Sequence, residues 1–187
     1  MTDLTAAVAA IKEGQLVGVP TDTVYGIAAD PFRPDALERL YELKGRGDTK
    51  PIAILVTTVD QGAELAAFND LAQDLAAKHW PGGLTLVLSK LDTTPDWMGD
   101  PAAKTVGLRC PDHEVTQALL GLTGPLAATS ANMAGQSAAV TAEEARDVFG
   151  DAVAVYLEGE GAGGMPSTVI DLTRPGPHVL RSGPVEA

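Results

Sequence analysis

The sequence has one cysteine, few aromatic residues and no long apolar segment, and each of these absences excludes a class of protein. A single cysteine, Cys110, cannot form an internal disulfide framework or a cysteine-based zinc site. Aromatic residues are 4% of the 187 residues, so aliphatic side chains must fill the core. No apolar run reaches the length of a membrane span, and the N-terminus lacks the features of a signal peptide. The simplest expected location is a reducing cytoplasm.

Basic residues are also scarce. The chain has 13 lysine and arginine residues against 25 aspartate and glutamate residues, which gives a formal net charge of −12. Stable binding to nucleic acid usually requires a basic face, so we expect no tight direct contact with RNA. The length is that of one ordinary domain, and we expect a single domain over residues 1–187.

Apolar periodicity predicts helices and strands that alternate along the whole chain. Predicted helices cover residues 3–13, 34–44, 62–68, 71–80 and 114–122, and a capping box at Thr141 and Glu144 opens one more that ends at Phe149. Predicted strands cover residues 15–19, 50–56, 84–89, 105–110, 125–128, 152–157, 167–172 and 179–181. Such alternation is typical of an α/β fold around one sheet.

Residues 20–26, Pro-Thr-Asp-Thr-Val-Tyr-Gly, follow the first predicted strand and are poorly suited to a core. Proline cannot donate to a sheet ladder, and Thr21, Asp22 and Thr23 need hydrogen-bond partners if they are buried. A strand end closed by an Asx or ST turn would explain this segment by itself. A functional interpretation therefore depends on motifs elsewhere in the chain.

Lys44, Arg46 and Lys50 form a small basic cluster in this acidic chain. The planar fork of arginine and the compact charge of lysine both suit phosphate recognition. A solvated helix end is the alternative, because cations interact favourably with the C-terminal end of the helix dipole. The spacing alone does not decide between these two interpretations.

Further motifs lie at residues 106–111 (Val-Gly-Leu-Arg-Cys-Pro), 128–132 (Ala-Thr-Ser-Ala-Asn), 166–172 (Pro-Ser-Thr-Val-Ile-Asp-Leu) and 180–184 (Leu-Arg-Ser-Gly-Pro). Together with residues 20–26, and in this order, they resemble the YrdC domain of the threonylcarbamoyl-AMP synthase family from about residue 8 to residue 184. The paired Lys-x-Arg at 44–46 and Ser-x-Asn at 130–132 are specific to that family. The resemblance is to the short bacterial form, and it implies one twisted mixed sheet with flanking helices and an open cleft.

The resemblance implies an ATP site beside a threonine site. It places these residues on the nucleotide side: Lys44, Arg46, Lys50, Thr105, Ser130, Asn132 and Arg181. It places these residues on the threonine side: Thr21, Arg109, Ala128 and Ser167. Arg109 is expected to hold the threonine carboxylate as a bidentate pair. The chain departs from the family at Ala138, where relatives have a serine that meets ATP, and at Gly83, where proline is usual.

The implied activity is the synthesis of threonylcarbamoyl-AMP from ATP, L-threonine and bicarbonate, with release of pyrophosphate. Separate tRNA-modifying partner proteins would use the product, and Mg²⁺ would be bound through the phosphates. We predict no catalytic nucleophile and no protein metal site, because this chemistry needs positioning and charge neutralisation. His79, His113 and His178 lack metal-ligand spacing, and Cys110 is expected in the core.

Two alternatives are open. One is an RNA-binding or ribosome-associated module without catalysis, which the negative charge disfavours. The other is a carbamoyl-transfer domain of the kind found in hydrogenase maturation, where additional acylphosphatase and zinc-finger regions are expected. Neither the length nor the cysteine content of this chain matches that second alternative.

Overall fold

The computed structural model describes residues 4–45, 51–133, 135–161 and 164–186, so Arg46 and Lys50 lie outside the described residues. The helices in these ranges are α1 Leu4–Lys12, α2 Pro34–Leu43, α3 Val59–Ala63, α4 Asp70–His79, α5 Glu114–Thr123 and α6 Ala142–Phe149. The strands are β1 Val17–Val19, β2 Gly26–Ala29, β3 Ala53–Leu55, β4 Leu84–Ser89, β5 Thr105–Arg109, β6 Leu126–Ser130, β7 Val155–Tyr156, β8 Thr168–Asp171 and β9 His178–Arg181. None of the described helices has the length and apolar character that crossing a membrane requires.

The described strands form one mixed sheet of nine, in the order β7-β1-β2-β6-β3-β5-β4-β8-β9. The pairs β1–β7, β3–β5 and β4–β8 are parallel, and the other neighbouring pairs are antiparallel. The predicted α/β class with a mixed sheet is therefore confirmed.

Local side-chain chemistry sets several helix starts. Thr141 Oγ1 accepts a hydrogen bond from the backbone N–H of Glu144, and the Glu144 carboxylate accepts one from the backbone N–H of Val140. The side chains of Thr58 and Asn69 cap α3 and α4 in the same way. Each cap satisfies backbone donors that the first helical turn leaves without a partner.

The prediction of a helix over residues 62–68 is wrong. The helix α3 begins at Val59, because Thr58 caps it, and it ends at Ala63. The backbone N–H groups of Leu65 and Ala66 then both donate to Gly62, and Ala66 pairs with Lys90 in an isolated bridge. Leu65 and Ala66, whose spacing suggests the apolar face of a helix, are therefore buried in a turn that follows the helix.

Strand β2 was not predicted, and the strand predicted over residues 152–157 is shorter in the structure. The four residues of β2 are all buried, but only Ile27 is β-branched, so the segment has little strand propensity. In the second case a 3₁₀ turn occupies Gly150–Ala152, and only Val155–Tyr156 pairs with β1.

Helices cover the two faces of the sheet unequally. The larger core lies on one face, where α2, α4 and α6 meet inward residues of the central strands such as Ile54 and Leu108. On the other face, α1 and α5 cover a smaller core that contains Leu55 and Leu126. The smaller cluster does not extend over the middle of that second face.

The middle of the second face has small side chains. Ala53 lies opposite Ala128 in the register, and a Cβ atom built on Gly107 would be 3.8 Å from the Cβ of Ala53. All three residues are partly exposed, whereas Ile54 and Leu108 beside them are buried. We call Ala53, Gly107 and Ala128 the sheet floor, because they form the base of an open surface on the sheet.

Candidate functional site

The segment after β1 is folded by its own hydroxyl groups. Thr21 Oγ1 donates to the carbonyl of Val24 at 2.7 Å and accepts from the backbone N–H of Thr23 at 3.2 Å. The hydroxyl oxygens of Thr21 and Thr23 are 3.0 Å apart, and both residues are buried. The segment is thus a hydroxyl-stabilised turn of the kind that the sequence predicts at this strand end.

Arg109, at the end of β5, is the partner of this turn. Its Nη2 atom donates to Asp22 Oδ1 at 2.6 Å, its Nη1 to Thr23 Oγ1 at 2.8 Å and its Nε to the carbonyl of Gly82 at 3.1 Å. The Arg109–Asp22 ion pair is nearly inaccessible to solvent, with 8% and 17% of the two side chains exposed. Asp22 Oδ1 also accepts from the backbone N–H of Asp112 at 2.9 Å.

The guanidinium of Arg109 keeps donors for a further ligand. Burial lowers the pKa of Arg109, while the facing carboxylate of Asp22 opposes this shift, and a guanidinium remains charged at neutral pH. The three bonds described above use three of its five N–H groups, and one N–H remains on each terminal nitrogen. A carboxylate can accept both of these donors as a bidentate pair.

A second group of polar side chains lies around Ser167. Arg181 donates from Nε to the Ser167 carbonyl at 2.9 Å and from Nη2 to Ser167 Oγ at 3.0 Å. Ser167 Oγ lies 2.8 Å from Thr85 Oγ1, and both of these hydroxyl-bearing residues are buried. Partial burial lowers the pKa of Arg181, and the positive charge of Arg109 lowers it further. The two guanidinium groups are therefore close enough to repel, and we call them the arginine pair.

Lys44 organises the Ser-x-Asn motif. Its ammonium donates to the Ser130 carbonyl at 2.9 Å, to the Asn132 carbonyl at 2.7 Å and to Asn132 Oδ1 at 2.9 Å. Ser130 Oγ donates to the same Asn132 Oδ1 at 2.6 Å. These oxygens can satisfy all three N–H donors of the ammonium, so its main local effect is to fix the backbone at 130–132. We call these three residues the Lys44 cluster.

Thr105 and Ala128 lie on the surface between these groups. Thr105 begins β5 and Arg109 ends it, so the two side chains share a face about 13 Å apart along the strand. Ala128 belongs to the sheet floor, and Ser130 pairs with Gly26 at the end of the 20–26 motif.

The structure groups the predicted site residues differently from the expected two halves. Thr21, Arg109 and Ser167 lie near one another, but so does Arg181, which the resemblance placed with the nucleotide. Lys44, Ser130 and Asn132 are in contact with one another, while Arg46 and Lys50 lie outside the described residues. Sequence reasoning assigned no role to Thr85 or to Asp22. The available signals were a polar residue inside the apolar strand 84–89 and a carboxylate that needed a buried partner.

The described residues contain no group of three or more His, Cys, Asp or Glu side chains placed to hold a metal ion. Cys110 is buried, and its thiol lies 3.1 Å from the carbonyl of Thr57. Burial raises the pKa of the Cys110 thiol, so the reactive thiolate is disfavoured. The predicted core position of Cys110 is confirmed.

The Sua5/YciO/YrdC family model, described as telomere recombination, matches residues 9–183. The chain belongs to this family. The family predicted from the motifs is therefore confirmed, and the mixed sheet described above is the fold of its Sua5 members.

Named relatives in the Sua5/YciO/YrdC family carry an enzyme name. A Mycobacterium tuberculosis protein, provisionally named threonylcarbamoyl-AMP synthase, is 45% identical over 184 residues, or 97% of this chain and 84% of that relative. A Pyrococcus abyssi threonylcarbamoyl-AMP synthase is 39% identical over 92% of this chain, which spans about half of that longer protein, 52%. The crystal structure of P. abyssi Sua5 complexed with L-threonine has a TM-score of 0.90 at 37% identity and covers 96% of this chain and 54% of that one.

Gly83, one of the two positions where the chain departs from the pattern that the resemblance implies, is closely packed. A Cβ atom at Gly83 would lie 2.6 Å from Cγ of Pro184 and 3.4 Å from Cγ2 of Thr23. The missing side chain lets the C-terminal segment approach the 20–26 turn. The other departure, Ala138, is partly exposed and precedes Ala139, whose backbone bonds to Tyr25 and Ala131.

Proposed function

We propose that this protein synthesises L-threonylcarbamoyl-AMP from ATP, L-threonine and bicarbonate and releases pyrophosphate. One observation carries the proposal: two separate cationic groups lie around a floor of small side chains. They are the arginine pair, on β5 and β9, and the Lys44 cluster, where the C-cap residue of α2 contacts the end of β6. A site that holds a triphosphate and an amino-acid carboxylate at once needs two such positions. The relatives are named threonylcarbamoyl-AMP synthase, a name that includes both an amino acid and a nucleotide, and two such positions suit these two ligands.

In this proposal the threonine site lies beside the 20–26 turn. The two remaining terminal N–H donors of Arg109 bind the carboxylate of threonine. The hydroxyl groups of Thr21 and Ser167 and the backbone at Ala128 surround the rest of the amino acid. Asp22 and Thr23 keep the guanidinium in position, because its three internal bonds leave it little freedom to rotate.

The nucleotide site in this proposal includes Thr105 and the Lys44 cluster. Lys44 acts on the phosphates through its charge and by holding Ser130 and Asn132 in place. Arg46 and Lys50 supply further cations to the triphosphate. Mg²⁺ enters with the nucleotide phosphates, since the described side chains offer no ligand set of their own.

The reaction proceeds in two steps. The neutral amine of threonine attacks the carbon of bicarbonate, a C–N bond forms, and water leaves, which gives the carbamate. A carbamate oxygen then attacks the α-phosphorus of ATP, and the bond to pyrophosphate breaks. Arg181 lies near Arg109 and offsets negative charge on the carbamate. The protein contributes positioning and charge, and it forms no covalent intermediate.

We infer that the product is passed to separate tRNA-modifying proteins in a reducing cytoplasm. A mixed anhydride of a carbamate and a phosphate reacts readily with water, so a consuming enzyme must take it up soon after release. The formal charge of −12 argues against the alternative of an RNA-binding module.

The test is to mix the pure protein with ATP, threonine and bicarbonate and to measure pyrophosphate and the adenylate by mass spectrometry. Control reactions omit threonine or bicarbonate. We expect both products only in the complete mixture. A protein that releases no pyrophosphate above these controls, but shifts tRNA on a gel at physiological salt, would support the RNA-binding alternative instead.

A further inference from the structure

Thr85 occupies the position between the members of the arginine pair. It lies directly opposite Val169 in β8, and Val169 lies opposite Arg181 in β9. On its other side, the register that pairs Leu86 with Leu108 places Thr85 opposite Arg109. Residues directly opposite each other in neighbouring strands point to the same face. Four side chains therefore form a row across the sheet on one face: Arg109, Thr85, Val169 and Arg181.

The hydroxyl groups of Thr85 and Ser167 together have one hydrogen available for a polar ligand. Thr85 and Ser167 are 3% and 4% exposed, and their hydroxyl oxygens are 2.8 Å apart. Only one hydrogen can lie between two hydroxyl oxygens. Ser167 Oγ also accepts from Arg181 Nη2, so the pair keeps a hydrogen that can be directed to a further acceptor.

The charge balance of the same region is unequal. Arg109 is paired with Asp22, but none of the ion pairs within the described residues includes Arg181. Arg181 nevertheless lies within reach of the positive field of Arg109. Arg109 is buried, whereas Arg181 is exposed at the edge of the same region. Two guanidinium groups beside one carboxylate give an excess positive charge, which a small oxyanion would neutralise.

We propose that Arg181, Ser167 and Thr85 form the subsite for bicarbonate, an inference that rests on the proposed function. Bicarbonate is planar, and two of its oxygens match the fork of a guanidinium. The Thr85–Ser167 hydroxyl pair donates to the third oxygen. Bound there, its carbon lies beside the amine of a threonine whose carboxylate is held by Arg109. The third substrate thus gains a position beside the threonine, on the β4–β9 side of Arg109.

The first test is Thr85→Val, which keeps the shape and removes the hydroxyl. We expect the bicarbonate KM to rise about two- to tenfold, the effect of one net hydrogen bond. The KM values for threonine and ATP should stay within about twofold. Thr85→Ser keeps a hydroxyl group at this position and should have a bicarbonate KM close to that of the wild type. The reactions need buffer freed of carbon dioxide, with bicarbonate as the only variable.

The matched control is Thr94→Val. Thr94 is also a buried threonine, and its hydroxyl donates to the carbonyl of Leu65, outside the candidate site. We expect an unchanged bicarbonate requirement in this variant. If Thr85→Val folds and turns over with an unchanged bicarbonate KM, the subsite is wrong. The same conclusion follows if both valine variants raise this KM equally.

The second test uses nitrate, a planar anion similar in size to bicarbonate, with Arg181→Lys as the variant. Nitrate should inhibit competitively against bicarbonate but not against threonine, and Arg181→Lys should weaken this inhibition. Competition of nitrate with ATP alone would assign Arg181 to the nucleotide and overturn the subsite.

A third measurement does not depend on turnover. Bicarbonate should raise the unfolding temperature of the wild-type protein above that in chloride of equal ionic strength, and Thr85→Val should abolish this difference. A wild-type protein that shows this difference but releases no pyrophosphate would contradict the proposed reaction and retain the anion subsite. A protein that releases pyrophosphate without the difference would retain the reaction and contradict the subsite.

Discussion

Arg109→Lys is the substitution that most directly tests the threonine site. Lysine keeps the positive charge opposite Asp22, so the buried carboxylate retains a partner. Lysine cannot reproduce the planar fork, and its three donors are needed by the three oxygens that Arg109 already satisfies: Asp22 Oδ1, Thr23 Oγ1 and the Gly82 carbonyl. The variant therefore has no donor left for the carboxylate of threonine.

The expected loss follows from the bonds removed. Hydrogen bonds to a charged group contribute about 1.5–3 kcal/mol. At 1.36 kcal/mol for each factor of ten, the loss of even one of the two bonds should raise the threonine KM by roughly ten- to 150-fold. The Lys44 cluster is untouched by this change, so the affinity for ATP in the absence of threonine should change by less than about threefold.

The assay is a threonine titration of pyrophosphate release, beside calorimetry of ATP binding. Arg33→Lys is the matched control, because Arg33 also pairs with an aspartate, Asp35, at 3.0 Å, but on the surface. That control should leave both constants within about twofold. If Arg109→Lys loses ATP binding and keeps its dependence on threonine, the two halves of the site have been exchanged.

Three further substitutions test other parts of the structure. Lys44→Ala should weaken ATP binding about ten- to a hundredfold in calorimetry and threonine binding less, and an unchanged ATP affinity would remove the phosphate assignment. Cys110→Val should keep full pyrophosphate release, whereas a folded but inactive variant would show that the thiol takes part. Gly83→Ala should lower the free energy of unfolding by about 1–3 kcal/mol in urea titration, because its Cβ atom would lie 2.6 Å from Pro184; an unchanged midpoint would contradict that packing.

The sequence predicts those helices and strands that are defined by residues close together in the chain. The capping box at Thr141 predicts the start of α6 because both partners are within four residues. The alternating strand before Arg109 is recognisable for a similar reason. Strand β2 is different, because three of its four residues are small and the segment becomes a strand only between β1 and β6.

The candidate site was predictable as a set of residues but not as an arrangement. The motifs identify Arg109, Ser167 and Arg181, yet the position of Arg181 depends on a register shift between β8 and β9 at Val169 and Ile170. No local pattern contains that shift. Likewise, the spacing between Lys44 and its basic neighbours in the sequence does not show that the Lys44 ammonium contacts backbone carbonyl oxygens of Ser130 and Asn132.

The hydrogen bonds of the site have a consequence for folding, because they join parts of the chain that are far apart in sequence. Arg109 and Thr23 are separated by 86 residues, Lys44 and Ser130 by 86, and Thr85 and Ser167 by 82. Closing such long loops costs entropy that only the surrounding sheet can offset. The hydrogen bonds of the site therefore cannot form in a nascent or partly unfolded chain in which the sheet is incomplete. We expect ligand binding to appear in the last cooperative step of refolding, so that binding reports the integrity of the whole sheet.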